Sequence, residues 1–168
     1  MNQTYLHLLF GHLPIFGSIL GGLVLAYALW TKSNQTKIAA YYLFIISSIG
    51  AGVSYLTGEG AEETMEKLQV ASESIIEKHE EFALYALIGL IILGLSSLIG
   101  LFVTLNKHSL TRTIAIFTLV ISIISFGLIA RTGYLGGRIR HSEIRSSVNG
   151  QIDNSNENTQ QKTGKDND

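Results

Sequence analysis

Histidine is the one residue type here that can offer a neutral ring nitrogen to a metal, and four of the five histidines gather toward one end of the elements that carry them. His7 and His12 open the first long apolar stretch, His79 precedes the third and His141 follows the fourth. His108 lies alone in the opposite turn, where a solvated loop residue is expected. With a rise of ~1.5 Å per residue, His12 falls near the hydrocarbon edge and His7 just outside it, while His79 and His141 reach roughly 9–12 Å beyond. Tilt and helix extensions are needed to bring them together. Neutral imidazole ligates iron, copper or zinc through one nitrogen while an acceptor fixes the other. Glu59, Glu62 or Glu80 are candidates for that acceptor. Arg138 and its neighbours at the same level suit haem propionates through paired hydrogen bonds.

Helical spacing adds a second feature. His79 shares a stripe with Ala83, Ala86, Leu90 and Ser97. His141 shares one with Arg138, Gly137, Tyr134, Ala130 and Gly127. His7 lines up with Phe10, Pro14, Gly17 and Gly21, and His12 points about 140° away. A histidine above a strip of small residues suits a flat macrocycle, because imidazole supplies the ligand and missing side chains leave room for the ring. The competing reading is that small residues let membrane helices pack closely, as Gly17 and Gly21 would in a G-x-x-x-G pair. Pro14, the only proline, either starts or kinks the first helix.

The elements that must position these residues are apolar and long. Phe10–Trp30, Ile38–Thr57, Phe82–Leu105 and Ile114–Ala130 contain no Asp, Glu, Lys or Arg, and roughly 20 apolar residues cross a bilayer as helix. The expected spans are about 5–30, 38–58, 82–105 and 113–135, within a transmembrane domain over 1–146. Short polar turns, Thr31–Lys37 and Asn106–Thr113, imply an antiparallel four-helix bundle. Thr57–Glu63 reads as a helix stop and a new start. The acidic segment after it suggests an amphipathic helix that lies on the membrane or extends span three. Residues 147–168 have almost nothing apolar and are expected to be a disordered tail. The fold class is therefore an all-α membrane protein with an acidic extramembrane helical segment and a polar tail.

Charge placement sets orientation. Lys32, Lys37, Lys107 and Arg112 in the two turns have no acid among them, which predicts cytoplasmic turns with both termini outside. Arg131, Arg138, Arg140 and Arg145 at the other end argue against it. The N-terminus lacks the basic region of a cleavable signal, so the first span is expected to be retained. With no cysteine, the chain offers no disulfide, thiolate metal site, iron–sulfur ligation or covalent haem attachment. No catalytic triad, phosphate loop or zinc-protease motif is present, and nucleic acid is not an expected partner.

The opening motif His7-x-x-x-x-His12-x-Pro14 resembles a family of small bacterial four-span membrane proteins of uncharacterised function. Its members begin with His-Pro and a later His in a V-H-F-P context; here Leu8 stands at the first proline. His79 at the head of the third span is similar to the family pattern, as are Gly136, Gly137 and His141 after the fourth, at shorter spacing. The similarity runs from about Tyr5 to His141, and only the opening motif is specific. Some relatives are fused to Rieske or c-type cytochrome domains, so the resemblance implies a bacterial inner-membrane setting, a redox role and haem b.

Together these point to a haem b electron-transfer protein, with His12 and His79 as first axial pair and His7 and His141 as a second pair or another site. Tyr134 and Arg138 are further candidates for contact with the cofactor. Redox partner proteins and a homo-oligomer are compatible with that role, and no independent catalysis is expected. The alternatives are copper or zinc binding or transport by His7, His79, His141 and the glutamates, and a haemless scaffold.

Overall fold

The computed structural model describes residues 3–67 and 73–165, with the side chains of 5–58 and 74–138. Four helices carry the chain: α1 (Gln3–Trp30), α2 (Asn34–Lys67), α3 (Glu73–Leu105) and α4 (Thr111–Lys165). Stretches within them, Tyr5–Trp30, Asn34–Gly58, Ser74–Leu105 and Thr111–Arg138, are long and apolar enough to cross a bilayer. Helix α1 packs on α2 and α4, and α3 packs on the same two, so the four form a closed ring.

Side chains are distributed the opposite way from a water-soluble bundle. Leu23, Ile46, Ile49, Leu95, Leu98, Ile123 and Ile124 face outward, whereas Ser18, Ser47, Ser97, Thr118, Ser122 and Ser125 are buried. Lipid is as apolar as leucine, so burying leucine gains little there, and small hydroxyl residues share the interior with Leu25, Phe44, Leu90 and Leu93. Three of these six hydroxyls return a hydrogen bond to their own helix: Ser18 to the Pro14 carbonyl (2.6 Å), Ser97 to that of Leu93 (2.7 Å) and Ser122 to that of Leu119 (2.8 Å). This is the distribution of a multi-pass membrane protein.

Glycines take the points of closest approach. A methyl group on Gly21 would fall 2.6 Å from the Phe44 ring, and one on Gly100 2.5 Å from the Tyr41 ring. Gly17 faces Ser47 in the same way, and Gly50 faces Leu13. Contacts therefore descend α2 as they ascend α1. Ser47 also donates across the helix boundary to the Pro14 carbonyl (3.2 Å). Pro14 lies inside α1 and does not start it.

Two turns close the other end. Lys32 and Lys107 stand at φ 55° and 52°, the left-handed position that ends a helix. The wrap is completed by Ser33 N–H donating to the Ala28 carbonyl (3.1 Å) and His108 N–H to that of Val103 (2.9 Å).

Three sequence expectations change. Helix α2 does not stop at Gly58 but continues to Lys67, and α3 begins at Glu73, so the acidic segment is shared between two helices. Glycine lowers helix propensity by only about 1 kcal/mol, and an α-helix already under way can pass through two of them. Span three starts correspondingly earlier than Phe82. Finally, α4 is helical to Lys165 where a disordered tail was predicted from Ser147. Gln, Glu and Lys have good intrinsic helix propensity, which a reading based on the lack of an apolar face leaves out.

Candidate functional site

Of the four histidines at the sequence-predicted face, His7 and His79 meet. Their ring centres lie 6.3 Å apart with planes inclined at 73°. They stand on α1 and α3, helices that share little packing with each other, and each is braced by a different neighbour. His7 Nδ1 is 2.8 Å from the Ser54 carbonyl on α2, with the Ser54 hydroxyl at 3.5 Å. His79 Nδ1 is 3.1 Å from the Thr132 carbonyl on α4. A carbonyl only accepts, so both Nδ1 atoms carry the proton and both Nε2 lone pairs are left for another partner. The orienting acceptors are backbone carbonyls, not carboxylates. Glu80 is exposed, and the side chains of Glu59 and Glu62 lie outside the described residues.

Glycine seats each ring. A methyl on Gly136 would fall 3.2 Å from His79 Cε1, and one on Gly58 3.5 Å from His7 Nδ1. Gly11 approaches the residue that braces His7, since its added methyl would stand 3.5 Å from the Ser54 hydroxyl, whereas Gly133 faces Ile15 and not a ring. On α3, Ala86, Leu90 and Ser97 of the His79 stripe are buried. Lower down, the α1 strip holds no open groove, because Ser47 and Phe44 fill the space beside Gly17 and Gly21. The packing interpretation holds for those two glycines.

The other predicted site residues go elsewhere. His12 is exposed, donates Nδ1–H to the Leu8 carbonyl of its own helix (2.7 Å) and stacks on Phe16 at 6.4 Å. The 140° separation from His7 turns it outward, so a His12–His79 pair is not formed. Gly127, Ala130, Tyr134, Gly137 and Arg138 are all exposed, so the predicted α4 strip faces away from the bundle. The inward face of α4 carries Ser122, Ser125, Thr132 and Leu135 instead. Tyr134 packs against Arg131, whose guanidinium sits 5.5 Å from its ring centre and 5.6 Å from that of Phe82. This pair of cation–π contacts holds a charge at the bundle's outer surface. His141 lies on α4, and its side chain is outside the described residues. His108 is exposed in its turn, its Nδ1 accepting from Leu110 N–H (3.2 Å).

Among the described residues no group of three or more His, Asp or Glu converges in a manner suited to a metal ion. The candidate centre is therefore a two-imidazole pair. Sequence reasoning missed Ser54 and Thr132, which act through carbonyls that every residue possesses and so leave no mark in the sequence. Gly58 and Gly11 carried a signal, since each lies about one turn from a position facing His7. Compared with known proteins, the chain matches no family model, no curated protein and no solved structure.

Proposed function

We propose that this chain is a haem b-binding electron-transfer protein of the bacterial inner membrane, in which His7 and His79 would hold the iron. The observation that carries the proposal is the pair itself: two imidazoles on separate helices, each with Nδ1 within hydrogen-bond distance of a backbone carbonyl on a neighbouring helix. With metal–nitrogen bonds of ~2 Å, His7 and His79, whose ring centres are 6.3 Å apart, could both reach one metal ion. Gly136 supports the same reading, because a side chain there would crowd the His79 ring. The opening motif's resemblance to redox-associated membrane proteins agrees with it.

Haem, when bound, supplies one-electron redox chemistry at iron whose potential follows ligand identity, hydrogen bonding and burial. The chain's own contribution is to hold two ring tautomers. The Ser54 and Thr132 carbonyls draw on each Nδ1–H and make the opposite nitrogen a stronger donor.

An antiparallel arrangement goes with this proposal, supported by contacts that run in opposite directions along α1 and α2. Basic turns support their placement in the cytoplasm and both termini outside. Electrons would pass to partner proteins at the histidine face, and self-association of the outer apolar surface is compatible with that role.

The test is an absorption spectrum of the full-length purified protein supplied with haem, oxidised and then reduced. A sharp alpha band on reduction without ready carbon monoxide binding is expected, and His7→Ala and His79→Ala should each abolish or convert it. His12→Ala and His108→Ala should keep it. Protein that stays colourless but binds copper or zinc stoichiometrically would replace haem with a small ion at the same pair.

A further inference from the structure

The two histidines are held in the same way, and the likeness extends beyond the rings. His7 stands ten residues before Gly17 on α1, and His79 ten before Gly89 on α3. On α2, Ser47, Ser54 and Gly58 follow at intervals of seven and four residues, and on α4 Ser125, Thr132 and Gly136 repeat both intervals. Each spacing carries the same contacts. His7 Nδ1 reaches the Ser54 carbonyl at 2.8 Å, and His79 Nδ1 that of Thr132 at 3.1 Å. A methyl on Gly58 would stand 3.5 Å from the first Nδ1, and one on Gly136 3.6 Å from the second. Deeper in the bundle, a methyl on Gly17 would fall 2.7 Å from Ser47 and one on Gly89 3.1 Å from Ser125.

The turns agree as well. Lys32 and Lys107 both take a positive φ. The residue before each donates its N–H four back, Thr31 to Tyr27 (2.9 Å) and Asn106 to Phe102 (3.1 Å). The residue after donates five back, Ser33 to Ala28 and His108 to Val103. Helices α1 and α3 occupy opposite corners of the ring, and both run from histidine to lysine. A half-turn about the bundle axis therefore carries α1–α2 onto α3–α4 and one histidine onto the other. The likeness is weaker midway, where Pro14 and Gly21 correspond by spacing to Ala86 and Leu93. One close contact at a small residue is ordinary packing between membrane helices. A matched series around the same imidazole-to-carbonyl reach is a repeat.

We propose that the bundle is a two-fold repeat of one helical hairpin, in which Gly58 and Gly136 are positioning residues that open a helix carbonyl to the imidazole of their own half. The carbonyl of residue i in a helix already accepts the N–H of residue i+4, and a side chain at i+4 stands beside it. Glycine there lets the ring approach the backbone and use the second lone pair. Any group seated between the rings meets the same donor, held in the same way, from both halves. That suits a metal centre with one imidazole from each half and does not suit a ligand whose two ends differ. The rings are held this way whether haem or a small ion is what they meet.

Full-length protein with isotope-labelled histidine, in detergent and without haem or metal, is read by long-range nitrogen–proton correlation at a pH where imidazole is neutral. His7→Gln and His79→Gln assign the two rings. Both rings should carry the proton on Nδ1. Gly58→Val should lower that form several-fold in His7 alone, and Gly136→Val should do so in His79 alone. Gly137→Val, whose added methyl meets nothing within 4 Å, is the matched control and should change neither. Ser54→Thr and Thr132→Ser give each half the other's residue and should leave both rings as they are; they remain informative if valine prevents folding. An Nε2–H form in either wild-type ring, a response in one half only, an equal loss in Gly137→Val, or a changed ring in either exchange variant overturns the proposal. No haem is present, so these outcomes are separate from failure of the haem proposal, which the reduced spectrum reports.

Discussion

Two glycines next to the histidine pair differ in how closely they hold the rings, and that difference can be measured. Gly136→Ala would place a methyl 3.2 Å from His79 Cε1, whereas Gly58→Ala meets His7 at 3.5 Å, an ordinary contact. The first substitution should displace an imidazole by a few tenths of an ångström and weaken haem retention several-fold. The second should leave retention near wild type. Equilibrium titration of each variant with haem, monitored by the reduced alpha band, checks the order. If Gly58→Ala proves the more damaging, the ring positions are not those described. At this scale the sequence was partly legible. His7 could be read as inward because it shares a helical stripe with Pro14 and Gly21, both buried. The pairing of His7 with His79 could not be read, because it depends on which carbonyl each ring reaches across a helix boundary.

Among the elements, stability rests on close helix approach and on turns that tolerate an unfavourable backbone. Gly100→Ala would force a methyl to 2.5 Å from the Tyr41 ring, and overpacking of this kind costs about 1–3 kcal/mol. Thermal unfolding in detergent should show the loss. Lys107 holds a left-handed conformation at φ 52°, which costs an L-residue roughly 1–2 kcal/mol. Lys107→Gly should recover part of this, less the added freedom of the unfolded chain, and raise the midpoint by a few degrees. The Thr118 hydroxyl is buried without a protein partner, so Thr118→Val, of matching shape, should be neutral or stabilising by about 1 kcal/mol. The spans themselves were legible because charge-free runs of that length have few other structures open to them. Helix continuity through Gly58 was not, since a glycine marks a possible stop without forcing one.

At the scale of the whole molecule, the apolar exterior and hydroxyl-lined interior place the bundle in a membrane, and the remaining issues are orientation and the tail. A reporter active only outside the cytoplasm should work when fused after Glu66 or near the C-terminus, and fail after Asn34 or His108. The opposite pattern would mean that Arg131 and its neighbours, not the turn lysines, decide topology. Truncation after Ser147 should leave insertion and thermal stability unchanged, because the residues removed have no apolar face to pack. A loss of insertion on size-exclusion or protease-protection assay would contradict that.

The bracing of the two histidines divides the protein in an unexpected place. His7 and its acceptor Ser54 belong to the α1–α2 hairpin, while His79 and Thr132 belong to the α3–α4 hairpin. Each helix pair thus carries one ring together with the carbonyl that orients it. The pair is then a gauge of assembly: its two rings meet only where the α1–α2 and α3–α4 pairs are in register. Fragments cut between Lys67 and Glu73 and expressed together should regenerate the pair, while either fragment alone holds one imidazole and no partner for it.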